Sequence, residues 1–386
     1  MQSILSVFMA IIMFLVPTAN LPKAEIDTDA WNTNYACVFV HGLGGWGEYS
    51  PVNAVMPYWG MFGGDMIRYF NARGFDCHAA SVDPGGSAWD RACELYAQLV
   101  GARVDYGAAH AARCKHARFG RDYTGRPLID AFSAQEKINL FGHSFGGATI
   151  LLFTELMANG DREEQAAAAD ASALFAGGKG DWIYSITTLA APMNGTTAYT
   201  LRHEFQDGTT KPTPVQALTS GMIGMIGDSK KDGRIPEDCA EFDMTIDNAM
   251  AMLAGIETLE NVYYFSVPCA CTMDDGAGNQ VRDPSVPVEP LVLSTIDAMG
   301  CYTGVTPGGY VIDDRWKAND GLVNTFSARA PINAPQQDYD SARVAPGIWN
   351  VMPTYRGDHQ ALMGDLLHIN YIRPFYLDLL VMINSL

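Results

Sequence analysis

Residues 138–150 read INLFGHSFGGATI, and they constrain the fold more than any other stretch of the chain. The apolar run that ends in Phe141 predicts a strand. Gly142-His143-Ser144-Phe145-Gly146 then has the spacing G-x-S-x-G, and the small residues behind it predict a helix start. Strand, sharp turn and helix form the context in which this spacing carries chemistry. A side chain two positions before or after the serine would clash in so tight a turn, which accounts for Gly142 and Gly146. The turn lifts the Ser144 hydroxyl clear of the sheet and leaves the Phe145 N–H facing the same space. A glycine-rich turn around an ordinary serine is the plainer reading, so the serine's partners decide.

One partner lies upstream. Residues 35–40 read as a buried strand and run into His41-Gly42-Leu43-Gly44-Gly45. A His-Gly pair at the end of an early strand is where an α/β-hydrolase builds half of its oxyanion hole. The Leu43 N–H is then the natural companion of the Phe145 N–H. A glycine-rich loop with no ligand is the alternative. Further along, 61–72 and 89–100 have helical spacing, while 75–80, 183–191 and 262–267 read as strands.

Composition limits what such a chain can do. Apolar residues make up 48% and charged residues 18%, which suits a globular enzyme rather than a disordered chain. With 25 Lys and Arg against 43 Asp and Glu, the net charge is −18. A chain this acidic repels nucleic acid and anionic membrane surfaces, and no basic run offsets it. Residues 4–16 are continuously apolar and are followed by Pro17-Thr18-Ala19. They predict a signal peptide over about 1–24 and a secreted protein, the run being too short to span a bilayer. No Lys or Arg precedes the run, so an uncleaved anchor is the alternative. Eight cysteines would permit disulfides in an exported protein, and Cys269 or Cys271 with Cys301 is the pairing considered. Buried free thiols are the other reading for Cys37 and Cys93. The spacing fits no zinc ribbon.

Residues 105–120 place His110 and His116 six apart among small residues. Neutral imidazoles with a carboxylate make a closed Zn²⁺ site, although by spacing alone surface histidines are the better reading. The longer segment WDRACELYAQLVGARVDYGAAHAARCKHARFGRDYTG resembles the inserted metal-binding segment of secreted, zinc-containing bacterial lipases of the thermophilic-bacillus and staphylococcal type. The resemblance implies a structural Zn²⁺ held by Asp90, His110, His116 and a more distal Asp. Asp228 and Asp232 are candidates for the last, without motif support. It also implies that Asp320, in Asn319-Asp320-Gly321-Leu322-Val323-Asn324, is the acid of a catalytic triad. Asn-Asp-Gly is a turn signal by itself, and Asp313 and Asp314 are local rivals.

The histidine follows in Asp358-His359-Gln360-Ala361. The other histidine downstream of Asp320 is His368, in an apolar, helix-like run that reads as core. The order Ser144, Asp320, His359 is that of the α/β-hydrolases. In the family, the residue two after this histidine is a Glu that helps bind Ca²⁺. Here it is Ala361, which predicts a weak or absent calcium site unless Asp365 compensates. Residues 198–230 include a Met-rich piece, 216–226, that fits a lid over an acyl pocket and fits a core helix equally.

The expected architecture is an α/β-hydrolase fold, a mostly parallel central sheet flanked by helices. It forms a single domain over 25–386 with an insert at about 84–124. The expected chemistry is ester hydrolysis on lipid substrates, with contact to emulsion surfaces, no nucleic acid and no obligate protein partner. A short-chain carboxylesterase and a catalytically dead binding module are the rivals.

Overall fold

The computed structural model describes residues 26, 28–205, 235–253, 255–290, 292–365 and 368–386. The segment 1–24 expected as a signal peptide, and most of the lid segment 198–230, lie outside the described residues. So do Asp228 and Asp232. No helix among the described residues is long and apolar enough to cross a membrane.

A seven-stranded sheet is built from β1 (Ala36–Val40), β2 (Cys77–Ala80), β5 (Ile138–His143), β6 (Ile183–Leu189), β7 (Tyr263–Val267), β8 (Gln336–Asp338) and β9 (Trp349–Val351). The order across the sheet is β8-β9-β7-β6-β5-β1-β2, and every pairing is parallel. Parallel strands need crossovers that cover both faces, so the central strands are buried along their length.

Alternation along β1 divides the core. Val38 and Val40 face a cluster that includes Leu140, Ile186, Leu95, Ile150 and Phe153. Cys37 and Phe39 face the other side, with Trp59, Phe70, Phe265, Tyr376 and Leu380. Phe39 stacks on Phe141 of the neighbouring strand with ring centroids 4.5 Å apart.

Residues 84–124, expected as an insert, lie between β2 and β5. Helix α1 (Ala88–Val100) is capped by the Ser87 hydroxyl, which accepts the Asp90 N–H. The antiparallel pair β3 (Arg103–Asp105) and β4 (Phe119–Asp122) brackets helix α2 (Ala108–Cys114). Two further helices complete the frame: α3 (Phe145–Asn159) after the Ser144 turn, and α4 (Ile369–Asn384). The proposed disulfide does not form, since all eight cysteines are free. Cys269 is buried with its thiol 3.5 Å from the carbonyls of Gly357 and Asp358. Cys271 is buried too, whereas Cys301 is exposed.

Candidate active site and metal centre

Ser144 sits between β5 and α3 with φ 54° and ψ −129°, a strained backbone for a residue with a side chain. The flanking glycines are steric necessities. A Cβ at Gly142 would lie 2.5 Å from the Gly146 carbonyl oxygen, and one at Gly146 only 2.2 Å from that of Val40. The serine is thereby held at the carboxyl end of the sheet, where open α/β sheets carry their ligands.

The loop after β1 comes up beside it. Gly42 N–H donates to Tyr58 Oη, Gly44 N–H to the Pro84 carbonyl and Gly45 N–H to the Gly42 carbonyl. Among the described residues no hydrogen bond engages the Leu43 N–H. The carbonyl side of this loop is gripped by Arg91, which is fully buried. Its guanidinium donates to the His41 carbonyl, to the Asp83 carbonyl at 3.2 Å and to Thr149 Oγ1 at 2.9 Å. It also lies over the Phe145 ring. Burial lowers the Arg91 pKa to about 10, which leaves it cationic at neutral pH.

Asp320 and His359, 39 residues apart, meet at 2.8 Å between Oδ2 and Nδ1. The other oxygen of Asp320 accepts the N–H groups of Leu322 at 3.0 Å and Val323 at 2.7 Å, which fixes the carboxylate. The His359 N–H also donates to the Asp320 carbonyl at 2.9 Å, so backbone and side chain hold the two residues together. The rivals point elsewhere: Asp313 pairs with Arg315 and Asp314 with Lys317, both at 2.8 Å on partly exposed side chains. The His359 ring lies 5.0 Å from that of His143, the neighbour of Ser144. No direct hydrogen bond joins Ser144 Oγ to His359. Such bonds are often loose before substrate binds.

Next to this site, the apolar segment containing His368 is not a plain core element. The buried His368 ring contacts both carboxylate oxygens of Asp365, at 2.8 and 2.9 Å. Asp358 completes the cluster. Burial opposes a charge on His368, but the Asp365 hydrogen bond and the carboxylates of Asp365, Asp358 and Glu289 outweigh it and raise the pKa. A raised folded-state pKa means a contribution that is complete below the unfolded value, about 6.5, and is lost as pH climbs through the folded value. The stability difference between wild type and His368→Gln, read from urea midpoints, is therefore expected to be largest near pH 5.5 and to shrink towards pH 9. A difference that does not change with pH would refute the charged pairing.

The second constellation gathers Asp90 from α1, His110 from α2, His116 just beyond α2, and Asp238. His110 Nε2 lies 3.1 Å from Asp90 Oδ1 and 3.7 Å from Asp238 Oδ1. His116 Nε2 lies 3.4 Å from Asp238 Oδ2 and 3.7 Å from Asp90 Oδ1. All four side chains are at least nine-tenths buried. His116 Nε2 makes no hydrogen bond among the described residues. Two buried carboxylates facing two imidazoles call for a cation between them, since isolated charges are costly in such surroundings. The donor set fits Zn²⁺.

The surroundings orient the ligands. Trp89 stacks on His110 at 5.2 Å and on Phe175 at 5.6 Å. The Glu164 carboxylate accepts the N–H groups of Ala109 and His110 at the start of α2. The three residues expected from the sequence meet here, and Asp238 joins them; Asp228 and Asp232 lie outside the described residues. The Ile235 N–H donates to the Cys114 carbonyl at 2.9 Å and brings that segment against the end of α2. The Cys114 thiol, 3.8 Å from His110 Nδ1, is a neighbour the sequence reading also did not register.

A parallel sheet bearing a strained serine turn, a free loop N–H and a buried Asp–His pair defines an α/β-hydrolase. A family model described as lipase-like, C-terminal domain matches residues 33–206. Lipase 2 of Staphylococcus aureus is 32% identical over 361 residues, which cover 86% of this chain and 50% of that protein. The structure of EstA from Clostridium botulinum superposes with a TM-score of 0.78 at 29% identity, covering 97% of this chain and 93% of that one. Lipase 1 from Pelosinus fermentans gives a TM-score of 0.74 at 29% identity, with 92% and 99% covered. This chain belongs to the family that includes the staphylococcal lipases. It spans about half the length of the curated relatives it matches.

Proposed function

We propose that the chain is a serine hydrolase of carboxylic esters, acting on triacylglycerols. The observation that carries this reading is the buried 2.8 Å contact between Asp320 and His359 next to a serine on a strained turn. His359 takes the Ser144 proton as the hydroxyl attacks the ester carbonyl. Asp320 keeps the imidazole in the tautomer with Nδ1–H and stabilises its cation. The N–H groups of Leu43 and Phe145 hold the developing oxyanion. His359 then gives its proton to the leaving alcohol, and water, activated by the same histidine, releases the acyl group.

Asp90, His110, His116 and Asp238 would hold Zn²⁺, which ties the 84–124 excursion to the core and takes no part in the chemistry. We assign Ca²⁺ no role. The domain is read as a single catalytic unit over 25–386, exported and working at lipid or emulsion surfaces.

Purified protein is expected to hydrolyse emulsified tributyrin and triolein as well as p-nitrophenyl acetate. Activity confined to the acetate would make it a short-chain carboxylesterase on the same frame. No activity and no labelling by a serine-reactive phosphonate would leave only a binding module.

A further inference from the structure

The proposed chemistry uses Ser144, Asp320, His359 and two peptide N–H groups. A buried chain of polar contacts passes within one residue of each of the three catalytic segments, and the chemistry does not use it. The Gly42 N–H donates to Tyr58 Oη at 3.0 Å. Tyr58 Oη meets His143 Nδ1 at 2.7 Å. His143 Nε2 meets the His359 carbonyl at 2.9 Å, across 216 residues of sequence. Gly42 precedes the oxyanion donor Leu43, His143 precedes the nucleophile, and His359 is the base. Tyr58 is 4% exposed and His143 1%.

The direction of every bond follows from the donors and acceptors available. The His359 carbonyl only accepts, so a neutral His143 carries its proton on Nε2. Its Nδ1 is then an acceptor, and the Tyr58 hydroxyl donates to it. The phenol oxygen is left to accept the Gly42 N–H. One arrangement satisfies every group. Burial, reinforced by the nearby His359, holds His143 well below the ordinary imidazole range, so the ring stays neutral. Both rings are locked by packing: Tyr58 stands edge-on to Trp46 and Trp59, and His143 edge-on to Trp59.

We propose that Tyr58 and His143 are positioning residues, an uncharged hydrogen-bonded bridge that sets the spacing between the oxyanion loop, the serine turn and the His359 loop. The proposal rests on the hydrolase reading above. The bridge touches no reacting atom. It fixes the peptide before the oxyanion donor relative to the backbone of the base, and sub-ångström slack there is felt in the transition state before it is felt in ground-state binding.

Tyr58→Phe keeps the ring and removes one oxygen, so Gly42 N–H and His143 Nδ1 each lose their bond to Tyr58 Oη. On soluble p-nitrophenyl butyrate, kcat is expected to fall about 10–100-fold with KM within about twofold. Affinity for a trifluoromethyl ketone, which the serine converts to a tetrahedral adduct, should fall by the same factor as kcat/KM. His143→Gln should behave alike, and the double variant should lose no more than the worse single one. A Tyr58→Phe protein with a lowered melting temperature and unchanged kcat would overturn the proposal, as would additive losses.

A measurement on the wild type keeps the test independent of how the variants fold. The ¹⁵N spectrum of His143 is expected to show the Nε2–H tautomer and no titration between pH 5 and 9, and an Nδ1–H tautomer or a titrating ring would overturn it. Failure of the wild type to react with a phosphonate would refute the hydrolase reading, whereas labelling that persists alongside an unchanged Tyr58→Phe kcat refutes only the bridge.

Discussion

Ser144→Ala is expected to lower kcat for p-nitrophenyl butyrate by about 10⁴–10⁶-fold while the protein stays folded. The substitution removes one oxygen from a residue that is 8% exposed, and Ser144 Oγ makes no hydrogen bond to His359 that folding would miss. The backbone strain at φ 54° remains, because alanine tolerates that conformation no better than serine. The melting temperature should therefore stay within a few degrees of the wild type. Phosphonate labelling should disappear with the activity. What persists comes from the oxyanion donors and substrate binding, which act without a nucleophile. Equal rates for variant and wild type would mean that the serine turn is only a turn and that the Asp320–His359 pair serves something else.

This expectation was already contained in the sequence, because the elbow is local. Strand, turn and helix lie within residues 138–150, and steric rules for glycine act over four residues. The strands at 35–40, 183–191 and 262–267 were readable for the same reason, each being an apolar run long enough to stand out. Strands β8 and β9 were not. They are three residues each, and Gln336-Gln337-Asp338 is polar, so only the pairing with β7 and its neighbours makes them strands. The Asp–His pair was legible through the Asn-Asp-Gly turn and the order of residues, while the 2.8 Å contact that distinguishes Asp320 from Asp313 and Asp314 is purely tertiary. His143 fills an unspecified position of G-x-S-x-G and Tyr58 carries no local signal, because the bridge joins three segments that meet only in the fold.

The metal centre divides in the same way. Asp90, His110 and His116 lie within one segment and could be matched as a motif. Asp238 lies far along the chain from that segment, where a lone aspartate with no motif around it looks like any other. Its place is set by where the 235–240 segment docks on α2.

Removing the metal is expected to lower the melting temperature by roughly 5–15 °C, because it takes the cation from between two buried carboxylates and two imidazoles in a closed site. Protein purified without added metal should carry about one zinc per chain. The Asp90 and Asp238 side chains are each 1% exposed, so water cannot take over the role of the cation. Competition by protons for the imidazoles and carboxylates weakens metal binding in acid. The effect of a strong chelator on the melting temperature should accordingly be large at pH 8 and shrink as the pH is lowered towards 5, where the holoprotein has itself begun to lose the ion. Asp238→Asn and His116→Ala should each reduce the zinc content, whereas Asp228→Asn and Asp232→Asn should leave it intact. Full zinc content in Asp238→Asn would remove Asp238 from the site. A melting temperature indifferent to the chelator in protein shown to be metal-free would mean that the two acids are held by protons instead, and the 84–124 segment would then owe its attachment to the core packing of α1 and to the contacts of Trp89, Arg91 and Glu164.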